Sequence, residues 1–448
     1  MIKKLLKSKF ASQTVWAFGG QISFLLANFL LFILLVNQVP KEVYGTWALY
    51  ITFISIADSI RQGMVQNGLS RLMVAYPTDL SLKSTGTAIN FTIVVFLGLV
   101  LAVFPSLFID DQNLILVLRH AWKGLLVLGT MLFIATFCQA KQKFKTYFLV
   151  NFIYFVTFIS ILLAVKNTYE EITLVQVINI QVVSVLPGLI YYLFTAKVHF
   201  TLPSRRHVTT LFHFGKYATG TNLLSMLFHK ADIIMIAYFL DPVSVALYHF
   251  ATKIMNYAEL PLHALSQVIY PRITASFRTA DMQKLKTEYA LSVIRLMVFV
   301  VPITIVLMIL SKQVVYLLAD EAYINAAPLI IILSLGMIFK PFGRVFGLTL
   351  DAMGKPGINF YMLLASFAIN ITMNLVLIPK FGVAGAAAAT SLSIFITIMV
   401  GQVTIAKHTP IRPPKDILHA IKLQFQLRRQ FKKQMKEQPT IKKELTFN

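Results

Sequence analysis

The stretch TVWAFGGQISFLLANFLLFILLVN occupies residues 14–37 and contains no Asp, Glu, Lys or Arg. A helix of about 20 apolar residues is long enough to cross the hydrocarbon core of a bilayer. The basic residues Lys3, Lys4, Lys7 and Lys9 precede it, and no small-residue cleavage site follows it. We therefore expect a first membrane-spanning helix with its N-terminus inside, rather than a cleaved signal peptide.

Apolar stretches of this kind recur along the whole chain. Of its 448 residues, 57% are hydrophobic and 13% are charged, and the mean hydropathy is +0.72. A soluble protein carries about 25% charged residues, so lipid is the expected solvent of this chain. The sequence predicts an all-α polytopic membrane protein with about twelve transmembrane helices. The predicted spans are 14–37, 43–66, 84–107, 116–139, 146–165, 173–196, 212–239, 243–271, 289–311, 324–349, 358–379 and 382–406.

The distribution of Lys and Arg orients these spans. With both termini in the cytoplasm, 32 of the 41 basic residues lie on the cytoplasmic side and five lie on the opposite side. Membrane proteins show this bias because basic loops stay inside. The same bias accounts for the net charge of +23 without a nucleic-acid partner, so none is expected.

The longest internal loop, residues 197–216, divides the chain into two halves of six predicted helices. Many transporters are built from two such repeats. We expect an N-terminal lobe at 1–200 and a C-terminal lobe at 201–408 around a central cavity. A basic cytoplasmic tail follows at 409–448, where an amphipathic helix would contact anionic lipid or a partner protein.

Seven ionisable residues lie inside the predicted spans. A charge at a helix centre costs about 2.5–3.5 kcal/mol when it faces lipid, so these side chains are expected to face a hydrated cavity or one another. Such residues are candidates for a functional site. They are Asp58, Lys123, Lys230, Asp232, Lys253, Glu259 and Arg295.

The predicted span 243–271 carries a continuous polar stripe. Its polar residues recur at steps of three and four, which places them on one helical face. The stripe predicts a helix that lines water or a substrate path, and a structural polar seam between helices is the alternative. Its members are His249, Thr252, Lys253, Asn256, Glu259, His263, Ser266 and Gln267.

Basic residues outnumber acidic ones in these positions, which favours an anionic substrate such as a phosphate or pyrophosphate. The predicted binding residues are Lys230, Lys253, Arg295, Lys123, Arg119, Arg61, Arg344, Asn256 and His263. The candidates for coupling to protons or sodium are Asp232, Glu259 and Asp58. Two alternatives stay open: Asp232 as a salt-bridge partner of Arg295 or Lys253, and Arg119 with Lys123 as interfacial anchors.

Several enzyme signatures are missing from the sequence. It has no P-loop, no HExxH motif and a single cysteine, Cys138, and no large extracytoplasmic loop is predicted. We therefore expect no catalytic residues, no metal and no cofactor, and a transporter rather than an enzyme. An enzyme would have to carry out its chemistry on the spans themselves.

Several segments resemble polysaccharide flippases of the Wzx type, which belong with MATE exporters and lipid II flippases in one larger group. The similar segments are VYGTWA at 43–48, GKY at 215–217, KADIIMI at 230–236, FLDP at 239–242, VALY at 245–248, IYPRI at 269–273, DAMGKP at 351–356 and IPKFGVAGAA at 378–387.

This resemblance implies a bacterial inner-membrane protein that moves undecaprenyl-pyrophosphate-linked oligosaccharide, such as O-antigen units, from the cytoplasmic to the outer leaflet. It also implies alternating access and work alongside other polysaccharide-assembly proteins. Two rivals remain at this stage: a multidrug or small-solute exporter of the same superfamily, and an integral-membrane glycan polymerase or ligase.

Overall fold

A computed structural model describes residues 9–76, 79–103, 107, 111–169, 172–196, 201–278, 282–409, 411–412 and 415–416. These residues form α-helices joined by short turns, and no β-strand occurs among them. A π-helical segment, Gln62–Gln66, joins α2 to α3, and a 3-10 segment, Glu321–Ala326, precedes α14. The helices are α1 Lys9–Gln38, α2 Lys41–Arg61, α3 Asn67–Ala75, α4 Leu80–Val103, α5 Gln112–Leu118, α6 Ala121–Ala140, α7 Phe144–Thr168, α8 Leu174–Ala196, α9 Arg205–Phe239, α10 Pro242–Ala258, α11 Leu260–Arg278, α12 Met282–Ile309, α13 Ser311–Leu318, α14 Ala327–Met337, α15 Lys340–Ala352 and α16 Pro356–His408.

Local sequence sets several of the helix starts. Asp111 caps α5, because its side chain accepts hydrogen bonds from two backbone amides of the first turn at 2.9 and 3.2 Å. Asp241 caps α10 in the same way by accepting from the amide of Ser244 at 2.7 Å. Pro242 is the first residue of α10, where its missing N–H costs nothing.

The chain is a multi-pass membrane protein, as the sequence predicts. Within the described ranges, nine helices are long and apolar enough to cross a membrane. A tenth span results if Glu321–Met337, which ends with α14, and α15 are counted together as one span with a bend of 41°. The number twelve remains a prediction. The counts differ at two places: predicted span 243–271 is divided between α10 and α11, and predicted spans 358–379 and 382–406 lie within α16.

Helix α16 is kinked in its middle at Gly382, where φ is +58° and ψ is −140°. A positive φ of this kind is open to glycine because it has no Cβ. Pro379, three residues earlier, removes one backbone donor from the helix ladder. The kink therefore follows from the local sequence.

By internal packing the chain divides into two compact units. Unit 1 comprises Met1–His249 with Val315–Ile324, and unit 2 comprises Phe250–Val314 with Asn325–Asn448. Helix α9 packs within unit 1. The predicted lobes and their central cavity remain predictions, and the part of the basic tail after residue 416 lies outside the described residues.

In unit 1, α1 packs on α7 and α7 on α8, while α6 contacts both α4 and α8. Helix α9 packs on α2 and on the π-helical segment. The buried cluster at this crossing joins side chains from five elements. In a bilayer such close packing, rather than the hydrophobic effect, holds helices together. The cluster contains Val65, Leu69, Met73, Leu82, Phe133, Phe137 and Leu211.

Two glycines fix the register between α9 and the π-helical segment. A Cβ added at Gly215 would lie 2.6 Å from the carbonyl oxygen of Met64, and one added at Gly63 would overlap the backbone of Thr219. Only a residue without a side chain allows the two backbones this approach. The crossing holds the N-terminal half of α9 against the π-helical segment, and Lys230 and Asp232 lie further along the same helix.

In unit 2, α12 packs on α11, α14 and α15, and α16 packs on α14 and α15. Helix α11 also packs on α15. Polar side chains join these helices: Ser391 donates to the carbonyl of Ile332 at 2.7 Å, and the Tyr289 hydroxyl donates to Gln402 at 2.7 Å. These contacts brace the helices that carry the basic residues described next.

Candidate functional site

The ionisable residues of α2 form a buried network in unit 1. Arg61 is fully buried and its Nε donates to Asp58 Oδ1 at 2.5 Å. Its Nη1 donates to Asn90 Oδ1 at 2.9 Å, and Gln62 donates to the other Asp58 oxygen at 2.7 Å. The structure thus brings a predicted binding residue and a predicted coupling residue into one sealed ion pair.

The hydroxyl groups of the same helix are satisfied within the helix itself. Thr52 and Ser55 donate to backbone carbonyls one turn earlier, at 2.8 and 2.6 Å, and Ser59 donates to the carbonyl of Ile56 at 2.6 Å. Ser and Thr side chains commonly bond back to their own helix in this way. The hydroxyls of the short polar stripe on α2 therefore bond to protein.

The predicted residues of α9 lie near its C-terminal end. Asp232 is buried and accepts a hydrogen bond from the Tyr248 hydroxyl of α10 at 2.6 Å. Lys230 is half-buried. His249, next to Tyr248, is also buried and bonds through Nδ1 to the Tyr44 hydroxyl at 2.8 Å. These contacts fix the start of α10, up to His249, against α2 and α9 within unit 1.

Arg119 lies in the turn between α5 and α6, and Lys123 lies in the first turn of α6. Arg119 is exposed. Lys123 is half-buried, donates to Asn179 Oδ1 at 2.7 Å and lies 5.7 Å from the centre of the Trp122 ring. Neither contact decides between the interfacial and the binding interpretation of this pair.

The predicted polar span of residues 243–271 is interrupted at Glu259, between α10 and α11. Pro261 accounts for the interruption, since it lacks an N–H and its ring clashes with the carbonyl four residues earlier. Lys253 lies half-buried on α10, whereas Asn256 and His263 are exposed on either side of the interruption. Ile254 and Leu262, on the predicted apolar side, are buried.

Helix α15 places two basic side chains against this polar stripe. Lys340 forms an ion pair with Glu259, and Arg344 Nε donates to Ser266 Oγ at 2.8 Å. Lys340 and Arg344 are four residues apart and therefore share one face of α15. Glu259 and Ser266 are seven residues apart, which is about two helical turns, and share one side of the stripe. The Lys340 side chain keeps 30% of its exposure, so this site is half-open.

Arg295 lies on α12 of unit 2 and forms an ion pair with Glu288 at 3.2 Å, with 34% of its side chain exposed. Among the described residues, no group of three or more His, Cys, Asp or Glu is placed to hold a metal ion. The most concentrated set of predicted residues in unit 2 therefore consists of Lys253, Asn256, Glu259, His263 and Arg344.

Sequence reasoning missed Asn90 and did not include Lys340 among the predicted binding residues. Asn90 is fully buried within an apolar helix, and an uncharged amide in such a helix is a signal that a search for ionisable residues overlooks. The partnership of Lys340 with Glu259 spans 81 positions. No local pattern contains that information.

Comparisons with known proteins agree with this architecture. A protein-family model described as "Polysaccharide biosynthesis protein" matches residues 10–277, which is more than half of the chain. A second model, MatE, matches residues 218–376. In Haloferax volcanii, the "Probable low-salt glycan biosynthesis flippase Agl15" is 24% identical over 198 residues, or 44% of this chain. The chain spans 42% of that curated relative's length.

Solved structures share the fold at low sequence identity. The lipid II flippase MurJ in an inward closed conformation has a TM-score of 0.69 and 15% identity, covering 91% of this chain and 90% of MurJ. An inward-facing multidrug MATE transporter of the MOP superfamily has a TM-score of 0.64 and 13% identity, covering 88% and 98%. Because the family model matches more than half of the chain, this multi-pass protein belongs to the polysaccharide biosynthesis protein family.

Proposed function

We propose that this protein is a flippase that moves an undecaprenyl-pyrophosphate-linked oligosaccharide from the cytoplasmic to the outer leaflet of the bacterial inner membrane. The observation that carries the proposal is the half-open pair of basic residues on α15, Lys340 and Arg344, held beside the polar stripe of α10 and α11. A multi-pass protein that keeps charge at such a place meets a polar or anionic ligand there.

The pyrophosphate is the part of the substrate that these basic groups recognise. Ser266 accepts from Nε, one of the five N–H donors of the Arg344 guanidinium, and a guanidinium fork matches the oxygens of a phosphate. Lys340 supplies a compact positive charge that Glu259 holds in place until an anion competes for it. Lys253 and Arg295 add charge within the same unit.

The sugars are proposed to contact Asn256 and His263, which are exposed on either side of Glu259, where α10 ends and α11 begins. The unit 1 candidates Lys230, Lys123 and Arg119 meet the anion at another stage of its passage. Arg61 is assigned a positioning role instead of a substrate contact, because its side chain is sealed against Asp58 and Asn90. The lipid tail of the substrate stays in the bilayer.

Transport proceeds by alternating access, in which one binding site opens to each side of the membrane in turn. Asp232, Glu259 and Asp58 are the candidates for coupling this cycle to protons or sodium. The membrane potential is another source of energy, worth about 2.3 kcal/mol per charge per 100 mV for a bound anion. The protein is proposed to act as a transporter alongside other polysaccharide-assembly proteins.

The orientation follows from the charge distribution, with both termini in the cytoplasm and 32 of 41 basic residues on that side. The basic tail is proposed to contact anionic lipid of the cytoplasmic leaflet. The names of the relatives, including a glycan biosynthesis flippase, support the class of substrate. The MatE match over residues 218–376 supports one second candidate, a small-solute exporter.

The deciding experiment is deletion of the gene, followed by assay of the leaflet that holds the lipid-linked oligosaccharide. Completed repeat units that collect on the cytoplasmic leaflet are the expected result. Units that reach the outer leaflet but are not polymerised or transferred would indicate an enzyme, and an unchanged glycan would favour a solute exporter.

A charge reversal then tests the site. Lys253→Glu is expected to abolish complementation of the deletion, because it replaces a positive charge on the proposed substrate path with a negative one. Lys253→Arg, which keeps the charge, is the matched control and is expected to complement. Normal glycan export by Lys253→Glu would disprove the assignment of this residue.

A further inference from the structure

Unit 1 contains a cavity of about 360 Å³ between α4, α6 and α8. None of the predicted site residues lines it. The lining positions recur at steps of three and four on each helix, so each helix contributes one face. They are residues 80, 83, 84, 87 and 91 of α4, 130, 133, 134, 137 and 141 at α6, and 189, 192, 193 and 196 of α8. Eleven residues of helix span about 16 Å, which is the approximate length of the cavity.

The walls of this cavity are apolar and rigid. The rings of Phe133 and Phe137 pack edge to face at 4.7 Å, and Phe91 lies 6.4 Å from Phe133. Both Phe133 and Phe137 belong to the buried core at the crossing of α9 and the π-helical segment. A ligand in this cavity would therefore pack against the core of unit 1.

The mouth of the cavity is basic. Lys83 and Lys141 line the same end, and Lys143 follows in the turn after α6. Partial burial and the positive charges of Lys83 and Lys143 lower the pKa of Lys141. The acid nearest to Lys83 in sequence, Asp79, lies 3.3 Å from His207 and accepts from the amide of Leu82 at 2.9 Å. An anion at this mouth would relieve the repulsion between the lysines.

We propose that this cavity binds one acyl chain of an anionic glycerophospholipid, whose phosphate lies at Lys83 and Lys141. The shape suits a single linear chain, and the end with the lysines is the one predicted to face the cytoplasm, where anionic lipids attract basic residues. The proposal is independent of flippase activity.

The test uses the full-length protein in detergent and a phosphatidylglycerol that carries a photoreactive diazirine on one acyl chain. Irradiation followed by peptide mass spectrometry is expected to label residues of α4, α6 and α8 around Phe133, Phe137 and Tyr192. Unlabelled phosphatidylglycerol is expected to compete, whereas phosphatidylcholine and inorganic phosphate are not.

Charge-neutral variants test the headgroup contact. Each of Lys83→Gln and Lys141→Gln is expected to raise about fivefold the concentration of unlabelled phosphatidylglycerol that is needed to compete with the photoreactive lipid, because one lysine near an anionic lipid contributes about 1 kcal/mol. The double variant is expected to raise this concentration more than tenfold. Lys166→Gln, an exposed lysine at the other end of α7, is the control and is expected to bind as the parent does.

A cavity-filling variant, Ile134→Trp, tests the contact with the acyl chain without altering charge, and the photoreactive lipid is expected no longer to label it. Gel filtration of each variant confirms that it is folded, and Lys83→Arg with Lys141→Arg provides a second route if the neutral variants aggregate, since it is expected to retain binding. Labelling spread evenly over lipid-facing helices, or unchanged by charge removal, would overturn the proposal. So would stronger competition by undecaprenyl pyrophosphate than by phosphatidylglycerol.

Discussion

The two units each hold an acid–base pair in a predicted membrane span, and the pairs differ in how they are enclosed. Arg61 and Asp58 lie three residues apart with 0% and 3% of their side chains exposed. Lys340 and Glu259 lie 81 positions apart and keep 30% and 12% exposure. The first pair has Asn90 and Gln62 as further partners, whereas the second keeps part of the Lys340 side chain exposed.

We infer that the same chemistry serves two purposes. A sealed ion pair gains nothing by exchanging partners, because any intermediate exposes a charge to a low dielectric. A half-open pair at a polar surface can give up one partner to an incoming anion at small cost. The contrast assigns structural support to Arg61 and ligand exchange to Lys340, and both assignments can be tested by substitution.

The largest expected effect is that of Arg61→Met on stability. Removing the guanidinium leaves the carboxylate of Asp58 buried without its charge partner, which typically costs about 3–5 kcal/mol. Thermal unfolding of the purified protein, followed by tryptophan fluorescence, measures the loss. The matched control is Lys340→Met, in which the acid left behind is closer to solvent and the loss is expected to be smaller. Equal losses at the two positions would erase the distinction drawn between the pairs.

The next effect is on transport rather than on stability. Lys340→Gln and Arg344→Gln each remove a charge-assisted hydrogen bond to the proposed pyrophosphate, worth about 1.5–3 kcal/mol. Transport of a lipid-linked oligosaccharide in proteoliposomes is therefore expected to fall at least tenfold at subsaturating substrate. Lys407→Gln, an exposed basic residue of the same unit, serves as the control. Parent-like transport by both glutamine variants would remove α15 from the binding site.

The sequence could predict which face of a helix is polar, since that depends on local periodicity. The stripe through Asn256 and His263 and the side-by-side placement of Asp58 and Arg61 both follow from spacing along one helix. The interruption at Glu259 is also local, because Pro261 lies two residues beyond it. The sequence predicted one span, 243–271, where the structure has two helices, α10 and α11.

What the sequence could not provide is the partner on another helix. Periodicity gives the direction in which Glu259 points, but the identity of the facing helix depends on the packing of the whole unit. For the same reason, Asn90 could not be connected with Arg61 before the fold was known, although they lie only 29 positions apart. Composition alone was enough to predict a membrane protein, whereas the contacts of the candidate site could be identified only from the tertiary structure.

The smallest effect is that of Glu259→Gln, and it sharpens the comparison most when it is set beside Asp58→Asn, because both variants remove the acid and keep the base. Asp58→Asn leaves Arg61 buried and less well compensated, so the variant is expected to lose stability and to gain no affinity for substrate. Glu259→Gln releases Lys340 from a half-open pair worth about 0.2–1 kcal/mol, so affinity for the anionic substrate is expected to rise by up to about fivefold while stability stays nearly unchanged. Equilibrium binding of undecaprenyl pyrophosphate to the purified variants measures the first quantity, and thermal unfolding measures the second. If Glu259→Gln instead weakened binding, Glu259 would be a group that positions Lys340 or couples an ion. The hypothesis that the Glu259 carboxylate and the pyrophosphate compete for Lys340 would then be wrong.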